Sequence, residues 1–147
     1  MRKRWRIIGL VLLTLLIVIQ FIRPPRTNPP IDPAKELHAP PEVAAILDRS
    51  CNDCHSSKTV WPWYSNVAPM SWLLYNDVKS GREAWSSSEW RTYSVRKQGN
   101  RLEKICEEVK KGDMPLWFYL PLHPKAKLTG ADVRVLCSWS ESAKPPL

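Results

Sequence analysis

The sequence predicts a mostly α-helical chain: one N-terminal transmembrane helix, then a single small helical domain. Three observations predict it. Residues 7–22 (IIGLVLLTLLIVIQFI) are uncharged and apolar behind a basic head of Arg2, Lys3, Arg4 and Arg6. No later stretch alternates apolar and polar residues as a half-buried strand would. Apolar residues recur instead at helical spacing, most cleanly at Leu102, Ile105, Cys106 and Val109.

The N-terminal run would make a helix roughly 24 Å long, slightly short of a hydrocarbon core of about 30 Å. Trp5 and the flanking arginines extend it by sitting at the interfaces. It ends in Gln20-Phe21-Ile22-Arg23-Pro24-Pro25, without the small-residue site at which a leader is cut. Residues 1–23 therefore read as an uncleaved signal anchor. The four basic residues before it outweigh Arg23 and Arg26 after it, which puts the N-terminus inside and the remainder outside.

Residues 24–40 are rich in proline (24, 25, 29, 30, 33 and 40) and read as a stiff, extended spacer. The domain proper is residues 41–147. Pro41 suits the first turn of a helix through Val43, Ala44, Ile46 and Leu47. A second helix is expected from Pro69 to about Arg82, with Trp72, Leu73, Tyr75 and Val78 as apolar members. Ser86-x-x-Glu89 has the form of a capping box for a third helix carrying Trp90 and Tyr93. The fourth spans 101–111, with Gly112 just past its end. Thr129 and Asp132 open the last, whose Val133, Leu136 and Cys137 share one face.

The chain carries 22 basic and 14 acidic side chains, a net charge of +8. Five of the basic and none of the acidic ones lie in residues 1–23, so the rest holds only a small excess. That is an ordinary solvated surface and no argument for nucleic-acid binding.

Chemistry enters at Cys51-Asn52-Asp53-Cys54-His55. A C-x-x-C-H run is the attachment signature of covalent c-type haem. On one helical turn the two sulfurs reach the two vinyl groups of a porphyrin, and the adjacent imidazole supplies the proximal iron ligand. A thioredoxin-like C-x-x-C should open a helix after a strand, which is not the pattern here. A zinc site needs a second ligand pair, and Cys106 and Cys137 are not paired by spacing. In bacteria, covalent haem attachment occurs outside the cytoplasmic membrane. That agrees with the orientation read from the anchor: single-pass in the inner membrane, with the haem domain facing the periplasm.

The second informative stretch is Lys111-Gly112-Asp113-Met114-Pro115-Leu116-Trp117. Met114 stands in a loop between two helices, after a glycine and before a proline. A thioether is a soft, neutral sixth ligand suited to electron transfer. Met70 is a weaker choice, since it opens a predicted helix close to His55. His123 competes seriously: it lies nine residues beyond Met114 in Leu122-His123-Pro124, and a second imidazole would lower the potential. Both ligand sets stay open on these residues.

These stretches resemble a known family, the bacterial haem-binding-domain proteins, small c-type cytochromes. W-P-W-Y-S at 61–65 and G-D-M-P-L-x-x-Y-x-x-x-H-P-x-A-x-L at 112–128 follow the C-x-x-C-H in the right order. The resemblance covers roughly residues 40–140. It implies a mono-haem, helical, cytochrome c-like fold with Cys51 and Cys54 as attachment sites and His55 as proximal ligand. It names no reaction, and both Met114 and His123 lie within its pattern.

Seven of the eight tryptophans follow the anchor. Most serve as core, while Trp61 and Trp63, just after the attachment motif, are where an indole N–H would meet a haem propionate. Cys106 and Cys137 sit on apolar helix faces and read either as a disulfide or as two buried thiols.

The resulting expectation is a membrane-anchored cytochrome holding one covalent haem c. It passes single electrons between protein partners and is not an enzyme. Its partners are redox proteins and the c-type haem maturation machinery. A peroxidase-like enzyme, or a gas or redox sensor, is the alternative, and needs an open or displaceable sixth position. His123 would then be the distal acid/base.

Overall fold

The computed structural model describes residues 2–145. Its helices are α1 (Arg2–Ile19), α2 (Pro41–Ser50), α3 (Asn52–His55), α4 (Met70–Ala84), α5 (Val95–Lys111) and α6 (Gly130–Ser142). Short 3-10 turns at Pro33–Lys35, Trp63–Asn66, Ser87–Thr92 and Pro124–Ala126 connect them, and the described residues contain no strand.

The N-terminal expectation is corrected. No helix among the described residues is long and apolar enough to cross a membrane. α1 has 18 residues, but its first turns hold the basic head, so its uncharged part spans only ~20 Å against the ~30 Å needed. The helix stops before the apolar run does because Gln20 turns back onto the domain. Its side-chain amide donates to the Ala68 carbonyl (3.1 Å) and accepts from the Ala68 N–H (2.9 Å). The indole of Trp72 donates to the Ile22 carbonyl at 2.8 Å. The single-pass inner-membrane placement, with its periplasmic orientation, falls with the span.

The proline-rich segment is strapped along the domain rather than standing clear of it. Arg82 donates to the Thr27 carbonyl (3.1 Å), to Asn28 Oδ1 (2.8 Å) and to the Ser56 carbonyl (2.8 Å). Arg26 bonds Asn66, and the Leu37 N–H bonds the Ser87 carbonyl at 2.7 Å.

α5 begins earlier than its pattern indicates. Ser94 Oγ accepts from the Lys97 N–H at 3.3 Å and caps the helix there. Gly99 and Asn100, weak helix formers, hide these first turns in the sequence. Ser86 caps nothing, and Ser87–Thr92 is a 3-10 turn. The hydroxyls of that stretch are spent on the attachment turn instead. Ser88 Oγ accepts from the Ser57 N–H (3.0 Å), and Ser87 Oγ donates to Asn52 (2.8 Å). The Thr129–Asp132 capping box of α6 is present, and Gly112 closes α5 at φ 79°, a left-handed conformation open to glycine.

Leu102, Ile105 and Val109 of α5 pack on Leu136 and Trp139 of α6 and on Val43, Ile46 and Leu47 of α2, forming the larger core. Full burial of each leucine contributes about 1.5–3 kcal/mol. A disulfide joins Cys106 to Cys137 across α5 and α6, with Cα atoms 4.8 Å apart. Arg49 of α2 forms a 2.6 Å ion pair with Asp132 of α6 and donates to the carbonyls of Lys125 and Lys127. A smaller core holds Tyr64, Leu74 and Val78. Cys51 and Met114 pack on the first core, Cys54 on the second.

Candidate functional site

The C-x-x-C-H motif, read as the attachment turn, forms one tight turn. The N–H groups of Cys54 and His55 both donate to the Cys51 carbonyl, at 3.1 and 2.9 Å. Cys51 also ends α2, its N–H bonded to the Leu47 carbonyl at 2.9 Å. α4 runs hard against this turn at Gly81, where a Cβ would lie 2.6 Å from the Cys54 carbonyl oxygen. Only a residue without a side chain permits that approach.

Cys51, Cys54 and His55 line one wall of a cavity of about 340 Å³. Leu73, Leu74 and Ala84 of α4 make it apolar, and Leu116 and Phe118 close it. Met114 lines the same cavity from the loop after α5. Gly112 makes that loop possible: the N–H groups of Asp113 and Met114 both turn back to the Glu108 carbonyl, at 3.1 and 3.4 Å. A sequence separation of 59 residues has become a shared pocket.

His55 is buried and prepared as a ligand. Its ring stacks on Trp85 with centroids 4.4 Å apart and planes 12° from parallel. Nδ1 lies 3.2 Å from the Trp85 carbonyl, which can only accept, so Nδ1 carries the hydrogen and Nε2 keeps a free lone pair. Burial lowers its pKa and holds the imidazole neutral. The thiols of Cys51 and Cys54 are pushed up to about 12, chiefly by burial. They are not the activated thiolates of a disulfide oxidoreductase. Among the described residues no group of three or more His, Cys, Asp or Glu is arranged to hold a metal ion, as a zinc site would require.

Two thiols and a neutral imidazole on one turn, in an apolar cavity with a thioether, agree with the comparison to known families. The family model described as a haem-binding domain matches residues 14–142. The chain belongs to the haem-binding domain family. No match was found among curated proteins or among solved structures.

The residues of this haem-binding domain fit the group. The cavity falls in the 300–1,000 Å³ range of ligand sites, is mainly apolar, and offers nitrogen and sulfur donors of the kinds that hold haem iron. His55 and Met114 would hold the iron, and Cys51 and Cys54 the porphyrin edge.

His123 is turned to other work. Its Nε2 lies 2.7 Å from the Tyr64 hydroxyl, and its ring stacks on Tyr119 at 3.9 Å and 7°. It does not line the cavity, whereas both tyrosines do. The Tyr119 hydroxyl donates to Asp53 Oδ2 at 2.6 Å. Trp61 and Trp63 also lie outside the cavity lining. Pro62 and the 3-10 turn leave Trp63 74% exposed, while Trp61 backs onto the smaller core with its indole N–H unpartnered. Met70 reaches the cavity from the first turn of α4.

Sequence reasoning missed Gly81, Trp85 and Tyr119. Tyr119 could have been found, since it is the tyrosine of the G-D-M-P-L-x-x-Y stretch. Trp85 and Gly81 carry no local signal, because their roles exist only where α4 meets α3.

Proposed function

We propose that this haem-binding domain holds a single covalent haem c and carries one electron at a time between protein partners, without chemistry on a bound substrate. Cys51 and Cys54 are the thioether attachment sites, His55 the proximal ligand and Met114 the sixth. Haem iron supplies the one-electron couple, and a thioether ligand favours its reduced state. The chain's own residues do the rest. Trp85 orients the His55 ring, and the apolar wall of α4 excludes water from the cofactor.

One observation carries this reading: Met114 lines the cavity that holds the attachment turn, and His123 does not. A second imidazole occupied by Tyr64 supports methionine ligation over bis-histidine ligation, and also turns His123 away from the part of a peroxidase-like distal base. The partners implied are redox proteins and, for attachment, the c-type haem maturation machinery.

The test is an absorption spectrum of the full chain produced with that machinery, taken ferric, ferrous and with carbon monoxide, then in alkaline pyridine. A c-type haemochrome is expected, with a native ferrous form that resists carbon monoxide and a ferric methionine–iron charge-transfer band that Met114→Ala abolishes. Immediate carbon monoxide uptake by the wild-type chain would favour the enzyme or sensor instead. Haem that extracts into acid solvent would disprove covalent attachment.

A further inference from the structure

We propose that Tyr119 is a positioning residue: its hydroxyl, bonded to Asp53, latches the Met114 segment to the attachment turn and keeps the sixth coordination position closed. This rests on Met114 as the sixth ligand.

Besides α4, the cavity has two walls from distant parts of the chain. One is the attachment turn, the other residues 114–122. The second wall has no helix of its own. The Met114 N–H reaches the Glu108 carbonyl of α5 at 3.4 Å, and beyond it the backbone hydrogen bonds are local: Tyr119 N–H to the Leu116 carbonyl at 3.0 Å, and His123 N–H to the Leu120 carbonyl at 3.1 Å. A segment whose backbone is anchored only at its first residue can swing away from a cofactor face.

Tyr119 supplies the cross-tie. Its hydroxyl donates to Asp53 Oδ2 at 2.6 Å, a bond to a charged acceptor and so among the stronger kind. Asp53 stands between the two attachment cysteines in sequence, and its other oxygen accepts the Val60 N–H at 3.0 Å, which fixes the carboxylate. The Tyr119 ring is set by the flat stack on His123, which is held in turn by Tyr64 of the smaller core. Burial and the Asp53 bond raise the Tyr119 pKa, so it remains a donor at neutral pH. Asp53, Tyr119, His123 and Tyr64 form one chain of contacts, of which Asp53, Tyr119 and Tyr64 line the cavity. A tyrosine five residues past Met114 thus holds the methionine's own loop to the turn that presents His55.

The experiment uses the haem-loaded full chain and Tyr119→Phe, which keeps the stacked ring and removes only the hydroxyl. Covalent haem content should match the wild type. Carbon monoxide association with the ferrous form should rise roughly tenfold, the factor expected for one lost bond to a charged group. The ferric methionine band should weaken, and amide hydrogen exchange should quicken at residues 115–123. Asp53→Asn, which keeps an acceptor but loses the charge, should move the same readouts less, and serves if the phenylalanine variant fails to retain haem. A Tyr119→Phe protein as closed to carbon monoxide as the wild type, with an unchanged ferric band, overturns the latch and leaves Met114 ligation standing. A wild type that is open, with Met114→Ala spectrally silent, overturns the ligand reading and the latch together.

Discussion

Gly81 of α4 and the Cys54 carbonyl are so close that a Cβ on Gly81 would sit 2.6 Å from the oxygen and 3.0 Å from its carbon. The obstacle is backbone, which cannot swing aside as a flexible side chain would. Two effects oppose each other in Gly81→Ala. Helix propensity favours alanine by up to about 1 kcal/mol, whereas overpacking costs about 1–3 kcal/mol. Overpacking should win, because α4 must back away from the attachment turn and open the cavity wall. The expected outcome is a lower melting temperature and reduced covalent haem content. Equal haem yield and an unchanged melting temperature would show that α4 moves freely.

His123 should matter for stability and not for ligation. His123→Ala removes the bond to the Tyr64 hydroxyl and the stack on Tyr119, a loss of about 1–2 kcal/mol. Denaturant titration should show that loss while the ferric methionine band persists in the haem-loaded protein. A change from a bis-histidine to a histidine–methionine spectrum on making this variant would reverse the ligand assignment.

Asp132 ties α6 to α2 and makes the fold acid-sensitive. The side-chain bond from Arg49, then the Thr129 N–H, hold its carboxyl down at about 2, against an ordinary 3.8. A depressed carboxylate pKa adds stability that is present above the unfolded value and lost as pH falls through the folded one. The contribution should therefore be complete above about pH 4 and disappear toward pH 2. It is on the order of 1 kcal/mol for a partly solvated pair. Melting curves of Asp132→Asn should be lower at neutral pH and converge with the wild type near pH 2. Parallel curves down to that pH would remove Asp132 from the acid response.

The local signals were legible wherever a few consecutive residues decide the outcome. The Thr129–Asp132 box and the Gly112 stop are each complete within a few positions, and both appear as read. Ser86 failed as a cap because its neighbours' hydroxyls found partners on the attachment turn, more than thirty residues away in sequence. The N-terminal helix failed as a span for a similar reason. Its apolar run continues to Ile22, but Gln20 exchanges two hydrogen bonds with Ala68 and ends the helix early.

By itself the sequence determined the attachment turn, since Cys51, Cys54 and His55 need only one helical turn to come together. It also determined that Met114 and His123 share one connecting segment. Only the tertiary structure places Met114 on the cavity lining and His123 against Tyr64. Their side-chain directions depend on the path of an irregular loop, and that path is set by Tyr119 on Asp53 and by Tyr64 on His123. Those contacts cross some sixty residues of chain, and no local pattern encodes them.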